Sequence, residues 1–369
     1  VGMGKPSFTE RELWQLLHAR RMHCSNAQLI ASHDPKLSVG HSFAKISRKT
    51  IMEACKEGCS TCNAMFAQPT PRNKALSSKP PPELPAAMMD SFGPVRVPSV
   101  YFGYVYANTI VHVQSGWPSV TGAKAIPTSE LIACANHFRA AIRPYVGELA
   151  IIRTDSIRQT TTAREWKKYV LAENPLISEH SSPYKHHMLG FLERIHKEAW
   201  PRVMAALSQA RRGLKWWYEC FRHAILMISI DAYRDGSGVL TSRWLNLFGT
   251  AYNESNLRTL LSPCQYYVDK TQRNKADPHS KNGLWCGISP DNPGAAWIWQ
   301  GSQFITVEHG DVRTNEWIAW SITPVGAPSP TPLEEVANFD LFTDATERVM
   351  AALEVDHSGN DNAPQAQAS

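Results

Sequence analysis

No stretch of this 369-residue chain reaches the ~20 consecutive apolar residues that a membrane helix needs. The closest approach, Ala224 to Ile230, has the length of a buried core helix, so no membrane partner is expected. A basic-then-apolar leader is missing from the opening Val1-Gly-Met-Gly-Lys5, and a start at valine leads us to expect a piece of a longer precursor. Cysteine is scarce beyond residue 62. Of eight in all, Cys24, Cys55, Cys59 and Cys62 crowd together, while Cys134, Cys220, Cys264 and Cys286 stand singly. That is too sparse for a secreted disulfide framework and points to metal binding in a reducing, intracellular compartment. Basic residues are nearly absent from 331–369, which hold one arginine against eight acids. The rest is mildly basic, compatible with a polyanion partner without requiring one. No internal repeat is present.

What is there divides the chain by composition. At 369 residues the chain exceeds what a single core usually holds, so two or three domains are expected, and 43% hydrophobic with 19% charged residues is an ordinary globular composition. Residues 8–32 read as helical, with Leu13, Trp14, Leu16, Leu17, Leu29 and Ile30 at helical spacing. Lys49 to Cys55 reads as a second helix leading into Cys59-Ser-Thr-Cys62. Pro69, Pro71, Pro80, Pro81, Pro82 and Pro85 mark an extended linker. Val95, Val97, Val100, Phe102, Tyr104 and Tyr106 then nearly alternate, and Ile110 to Val113 follows, which predicts strands. Ser129 to Ile142 predicts a helix, Leu149 to Ile152 a short buried strand, and Ala163 to Leu171 another helix. Phe191 to Ala210 and Leu214 to Ile230 predict two longer helices. That succession is the ribonuclease-H-like order: an α/β (α+β) core with a mixed sheet flanked by helices. Cys264 to Val268, Gly283 to Gly287, Ala296 to Trp299 and Phe304 to Val307 predict a small β-barrel. A second proline-rich linker, an amphipathic helix over Leu333 to Leu353 and a disordered 356–369 complete the expectation.

Two groups of residues carry chemistry. His18-x4-His23 is expected to place two imidazoles on one helix face, and Cys59-x2-Cys62 offers two thiolates from a tight knuckle. Zn²⁺ takes four tetrahedral N/S ligands, and two sequence-local pairs assemble that cage with little loop strain. A module of ~60 residues has a thin core, so a structural zinc would supply much of its folding energy. Cys24, His33, His41 and Cys55 stand close enough in sequence to substitute.

The second group is Asp90, Asp155 and Glu193. Phosphodiester cleavage and transfer need one oxygen activated and another stabilised. A pair of Mg²⁺ or Mn²⁺ ions held by carboxylates does both. Asp90 is expected at the start of the first strand, Asp155 just past the Leu149–Ile152 strand, and Glu193 on the following long helix, facing them. Sixty-four residues lie between the first two and 37 between the last two. His180, His186, His187 and His196 crowd near Glu193 and are read as solvated or loop histidines. Trp216-Trp217-Tyr218 reads as helix-packing core. Lys185, Arg194, Lys197, Arg202, Arg211 and Arg212 form either a phosphate-positioning face or an ordinary solvated one.

The settings of these residues resemble the integrase region of copia-type (Ty1/copia) LTR retrotransposon polyproteins, whose core is similar to retroviral integrases. His18-Ala-Arg20-Arg-Met-His23 before Cys59-x-x-Cys62 resembles the family's His-x-Arg-x-x-His ahead of Cys-x-x-Cys. Asp90-Ser-Phe-Gly-Pro94 resembles Asp-x-x-Gly-Pro, and Ser182-Pro-Tyr184 with Gly190-x-x-Glu193-Arg194 resembles Ser-Pro-Tyr and Asn-Gly-x-x-Glu-Arg. Trp217, Glu219 and Ala224 match a Trp-x-Glu-Ala helix, and Leu247-Phe-Gly249, Asn256-Leu-Arg258, Lys275-x-Asp277 and Gly283 to Gly287 resemble the module after the core. The resemblance implies a zinc module over 8–66, a linker over 67–86, a catalytic core over 87–235, a connector over 236–262, an SH3-like barrel over 263–322 and a tail over 323–369. It implies Asp90, Asp155 and Glu193 as catalytic ligands of two Mg²⁺ or Mn²⁺ ions. The reaction implied is 3′-end processing and strand transfer of element cDNA into target DNA. It further implies a homo-oligomer acting on double-stranded DNA in the nucleus or a cytoplasmic virus-like particle. The chain departs from the family at Ser156-Ile-Arg-Gln159, where Asn-Gly-Gly-Glu is usual, and around Lys185 to Leu189. Two alternatives follow: a decayed or domesticated nucleic-acid-binding relic, and a ribonuclease-H-type nuclease.

Overall fold

The computed structural model describes residues 9–32, 34, 36–39, 46–57, 59, 61–62, 84–155, 158–172, 176–180 and 190–316. Most of the proline linker, the Lys185–Leu189 stretch and everything after 316, including the expected Leu333–Leu353 helix, lie outside them. All described residues belong to one compact unit.

The N-terminal segment holds α1 (Glu10–Arg20), α2 (Asn26–Ala31), the two-residue strand β1 (Ser38–Val39) and α3 (Arg48–Glu57). Capping boxes start the first two helices: Thr9 with Glu12, and Ser25 with Gln28. The continuous helix expected over 8–32 therefore breaks. At the end of α1, Met22 N–H donates to the Ala19 carbonyl and His23 N–H to the His18 carbonyl, with Met22 at φ 48° and His23 at φ 59°. This is a Schellman termination, and it reverses the chain where the hydrophobic pattern reads straight through.

A five-stranded mixed sheet follows, in the order β4-β3-β2-β5-β6. Its strands are β2 (Ala86–Phe92), β3 (Tyr106–His112), β4 (Pro118–Ala123), β5 (Ile151–Thr154) and β6 (Ile177–His180). The first three pair antiparallel, whereas β2–β5 and β5–β6 are parallel. The strand expected over Val95–Tyr106 does not form before Tyr106. Gly93 at φ +122°, Phe102 at φ +53° and Gly103 at φ +67° turn the backbone. Its amides bond inside the loop and to the next layer instead: Val95 to Val105, Ser99 to Tyr104, Val100 to Lys215. A Cβ at Gly93 would lie 2.6 Å from the Val105 carbonyl oxygen, so that turn requires glycine. Asp90 is accordingly the fifth residue of β2 rather than its beginning.

Helices cover both faces. On one side, α4 (Thr128–Val146) buries Leu131, Cys134, Ala135, Phe138 and Ile142, a stripe at helical spacing, against Ala87, Met89, Ile110 and Ile152. The short α5 (Arg158–Thr161) and α6 (Arg164–Ala172) complete that layer, with Trp166 buried. On the other side, α7 (Gly190–Ala210) and α8 (Trp217–Ile230) pack on each other and over Met88 and Phe92. Twelve of the fourteen residues of α8 are buried, Trp217 and Tyr218 among them, because a second sheet covers its far side. That sheet is antiparallel, in the order β13-β12-β11-β10-β14. The chain reaches it through β7 (Ala232–Arg234), β8 (Leu240–Ser242), α9 (Arg243–Phe248) and β9 (Tyr252–Asn253), and β9 pairs with β1. Its strands are β10 (Ser262–Tyr267), β11 (Ser280–Ile288), β12 (Ala295–Trp299), β13 (Phe304–Glu308) and β14 (Val312–Thr314). Trp285, Trp297 and Ile298 share one continuous core with α7 and α8.

Two candidate metal centres

The first centre is built by the Schellman turn. That motif brings its third-from-last helical residue against the second residue past the cap, a place often filled by an apolar pair. Here the two positions are His18 and His23, and their rings stand 5.0 Å apart, edge to face. Cys59 and Cys62, just past α3, close the other side. The His18 Nε2 lies 3.0 Å from the Cys62 Sγ, and the His23 Nδ1 lies 3.6 Å and 3.4 Å from the Cys59 and Cys62 sulfurs. All four ligand atoms fall within 4.8 Å of one another. A tetrahedron with zinc bonds to nitrogen and sulfur has edges of about 3.3–3.8 Å, so these residues fit a zinc ion. With Nδ1 turned to the thiols, the His23 Nε2 faces the Gln209 Oε1 of α7 at 2.8 Å, the kind of outer contact that fixes a ligand ring. Burial holds the His18 imidazole below the usual histidine range, in the neutral form a metal requires. The two thiols are coupled: the hydrogen bond from Cys62, then those from the imidazoles, pull Cys59 down, and Cys59 pushes Cys62 up. Cys24, weighed as a substitute ligand, is a free buried thiol raised to about 12 by burial. His33, His41 and the Cys55 side chain lie outside the described residues.

A buried ion cluster locks this module down. Arg21, the cap of α1, reaches Glu254 through Nε at 3.0 Å and its NH2 nitrogen at 2.6 Å, and Asp231 at 3.2 Å. Arg202 of α7 binds the other Asp231 oxygen at 2.7 Å and Glu198 at 2.6 Å. Burial works against the charge on both arginines, but the facing carboxylates hold each pKa above its ordinary value. Arg20 adds a two-point contact with Glu316, which also accepts from the Thr259 amide. Nothing in local periodicity signals this cluster, since Arg21 and Glu254 are separated by 233 positions.

The second centre is at the sheet. The β2–β5 register pairs Met88 with Arg153 and Met89 with Thr154. Continued one step beyond that register, Asp90, two residues before the end of β2, comes level with Asp155, the residue that follows β5. Pleating gives them a common face. Ala87, Met89 and Ile152 point into the α4 layer, which leaves Met88, Asp90 and Phe92 to the α7 layer. The order of the sheet reverses at β2, and in open α/β sheets ligands bind beyond the strand ends at such a point. Glu193 lies in the first turn of α7, near enough for its charge to act on Asp90. All three acids are half-buried. The Asp90 carboxyl is raised to about 6, chiefly by burial, against a bond from the Ser91 amide, with further upward pushes from Asp155 and Glu193. The trio thus shares one electrostatic neighbourhood. Among the described residues, however, only the His/Cys quartet brings three or more such ligand atoms into a tight group.

His196 belongs to this centre as well. It is buried one turn beyond Glu193, with Nδ1 3.8 Å from the Asp90 Oδ2 and its ring against Phe92 and Phe221. That corrects its reading as a solvated histidine, and the Glu193-x-x-His196 spacing was the available signal. His180 ends β6, with Nδ1 3.0 Å from the Thr154 hydroxyl. His186 and His187 lie outside the described residues.

Of the basic set, Arg194 and Lys197 are exposed on α7, and Arg211 and Arg212 are exposed just past its end. Arg202 is not a surface residue. Its side chain is 2% exposed and committed to Asp231 and Glu198, so it cannot meet a phosphate. Lys185 lies outside the described residues. No helix among the described residues is long and apolar enough to cross a membrane.

No protein-family model matches the chain, and no curated protein matches it. Among solved structures it is similar to the cryo-EM structure of a simian T-cell lymphotropic virus intasome in complex with PP2A regulatory subunit B56 gamma. Identity is 15% and the TM-score 0.40, over 83% of this chain and 98% of that one.

Proposed function

We propose that this chain is a DNA-integrating polynucleotidyl transferase with a ribonuclease-H-like core, of the copia-type integrase kind. One observation supports the reading: the charges of Asp155, just past β5, and Glu193, in the first turn of α7, both act on the Asp90 carboxyl near the end of the neighbouring parallel strand β2. Three carboxylates gathered on one sheet edge repel one another, and a divalent cation is what relieves that repulsion. Asp90, Asp155 and Glu193 would hold Mg²⁺ or Mn²⁺, which when bound stabilises charge on the attacking and leaving oxygens of a phosphodiester. The protein's own part is positional. The rigid sheet fixes two carboxylates, and α7, clamped through Arg202 and Gln209, fixes the third.

His18, His23, Cys59 and Cys62 would hold a structural zinc. The antiparallel sheet of β10 to β14 supports the reading of 263–322 as an SH3-like barrel, and the limits 8–66 and 87–235 belong to the same proposal. Arg194, Lys197, Arg211 and Arg212 would position duplex DNA through its phosphates, element cDNA ends and target DNA alike, in a homo-oligomer.

The test is joining of a processed DNA end to plasmid with Mg²⁺ or Mn²⁺. Asp90→Asn, Asp155→Asn and Glu193→Gln are each expected to abolish joining while leaving the fold and salt-sensitive DNA binding intact. Equal joining by the parent and all three variants would remove these acids from the chemistry. Binding without joining in every case, parent included, would identify the nucleic-acid-binding relic. Cleavage of RNA–DNA hybrid without joining would identify the nuclease.

A further inference from the structure

We propose that an aromatic shelf at the tip of the loop between β2 and β3 binds an unpaired nucleotide of a single-stranded DNA end. The base stacks on Phe102, the phosphate meets Lys124 and the amino group of the base meets Glu130. The inference rests on the reading of the chain as a DNA-handling protein, but it needs neither the three carboxylates nor an ion.

The shelf borders an open cleft of about 390 Å³ lined by Phe102, Tyr104, Lys124, Ala125, Pro127 and Glu130. That volume lies within the ~300–1,000 Å³ common for small-ligand sites. The cleft opens where β2 stops and β3 starts: Phe92 pairs with Ala107, Tyr106 pairs with Ala123, and Lys124 follows directly. Phe102 stands outermost, 60% exposed and at φ 53°. A bulky side chain in left-handed backbone is strained, and such a residue persists where its surroundings fix it.

The surroundings do so through rings. Tyr101 lies behind Phe102 at 4.1 Å and is set edge-on against Trp297 at 4.6 Å and Phe304 at 5.3 Å. Its amide donates to the buried Glu219 at 3.0 Å. Tyr104, 5.8 Å from Phe102, is edge-on to Tyr218 of α8 at 4.9 Å. It seats over Gly122 of β4, where any Cβ would collide with its ring. Phe102 is thus anchored to the core from behind and needs no rearrangement to offer a stacking surface. Lys124, just past β4, and Glu130, in the first turn of α4, are exposed at the rim. The Tyr104 hydroxyl, raised to about 12 chiefly by burial, also feels the charge of Glu130, which puts that carboxylate near the rings.

The class of ligand follows from this set. Every base has a π-face to stack on an aromatic ring. A phosphate suits an ammonium, and the amino group of cytosine donates to a carboxylate. A quaternary ammonium, which aromatic rings also collect, would meet the charge of Lys124. A purely apolar peptide would leave both charges unused. Bases inside a duplex have their faces covered by their neighbours, so only an unpaired one reaches Phe102.

The experiment is fluorescence anisotropy of the zinc-loaded full chain with a short duplex, either blunt or carrying a single-stranded tail of deoxycytidine or thymidine. The cytidine tail is expected to tighten binding about tenfold over the blunt duplex. The thymidine tail, lacking the amino group, is expected to bind about threefold less tightly than the cytidine tail. Phe102→Ala and Phe102→Leu, the second keeping apolar bulk without a π-face, should lose the tail preference, and Phe102→Tyr should keep it. Blunt-duplex affinity and circular dichroism should be unchanged in all three. Lys124→Gln should lower the salt slope of tailed binding by about 0.7, and Glu130→Ala should equalise the two tails. An iodinated cytosine in the tail, photo-activated on the unmodified chain, needs no variant to fold and should crosslink at Phe102 or Tyr104. Equal affinity for blunt and tailed duplex overturns the site and leaves DNA handling standing. So does a tail preference that survives Phe102→Ala and Phe102→Leu, or crosslinking confined to other residues. A trimethyl-lysine peptide that binds at Phe102 where tailed duplex does not would assign the rings to a cation instead. Absence of binding to any DNA removes the proposed function and this inference together.

Discussion

The quartet and the carboxylate trio sit on the same chain and gather by opposite physics. His18, His23, Cys59 and Cys62 are hydrogen-bond donors and acceptors that attract one another even without an ion, through contacts of 3.0–3.6 Å between imidazole nitrogen and cysteine sulfur. Each pair is also local: one helix end supplies both histidines and one short knuckle supplies both cysteines. Asp90, Asp155 and Glu193 come from two strands and a helix and repel. The surrounding fold holds them together. The comparison teaches that the quartet should govern whether its module folds, whereas the trio should tax stability until an ion arrives.

Removing the ion from the quartet is expected to have the largest effect. Apparent binding energies of structural zinc reach about 10–16 kcal/mol in small peptides, more than a thin core supplies. Chelation should therefore unfold α1 to α3, read as lost helical dichroism and as fast amide exchange confined at first to that module. Loss of helix should follow zinc content. Full retention of α1 and α2 at zero zinc would dissolve the contrast with the trio.

The next effect is at the joint between module and core. Asp231 bridges Arg21 and Arg202, all three with side chains 1–2% exposed. Asp231→Ala leaves two buried guanidinium groups short of a partner, which should cost about 3–5 kcal/mol in urea unfolding. Because Arg21 caps the same turn that holds His18 and His23, zinc should dissociate faster from this variant. Unchanged zinc release alongside the expected instability would separate the ion cluster from the metal turn.

How far the sequence carries is visible in the same pair of sites. The quartet was legible because its ligands lie in two close pairs beside recognisable helices. The geometry of the turn was not, since a Schellman reversal at Met22 leaves the hydrophobic period of 13–30 almost unbroken. Glu193 falls on the helix expected over Phe191 to Ala210, and the structure buries Leu192, Ile195, Ala199 and Val203 of that helix at helical spacing. Asp90 was set too early in its strand, because proline-rich sequence before 86 hides where β2 begins. The Val95–Tyr106 alternation does not make a strand before Tyr106, because Gly93, Phe102 and Gly103 adopt left-handed backbone that no alternation pattern reveals. Arg202 and His196 look like surface residues in a linear reading, and only the packing of α7 against Asp231 and Asp90 buries them.

The smallest expected effect tests the trio directly. In the metal-free protein the folded Asp90 carboxyl is raised to about 6 from an ordinary value of 3.8. A raised acid stabilises the fold only while it keeps its proton. The contribution is complete below the unfolded pKa, near 4, and is lost as pH climbs through about 6. Asp90→Asn removes the titrating group while keeping its shape. It should therefore match the parent at pH 4 and be more stable at pH 8. About 1.4 kcal/mol per pKa unit sets a ceiling of roughly 3 kcal/mol, and solvent reaching the half-buried carboxyl lowers the expected gain to about 1–2 kcal/mol. His196 works the other way across the same interval. Burial depresses it to about 4, so its contribution is present above its unfolded pKa of about 6.5 and is lost as pH falls through about 4. Subtracting parent from variant at each pH cancels that background to first order. The measurement is urea unfolding in chelator at pH 4 and pH 8, repeated at pH 8 with saturating Mn²⁺. With the ion present the sign should reverse, because the parent then gains binding energy that Asp90→Asn cannot. A variant that is never more stable than the parent without metal would show that the Asp90 carboxylate carries neither the cost of burial nor the repulsion that sets the trio apart from the quartet.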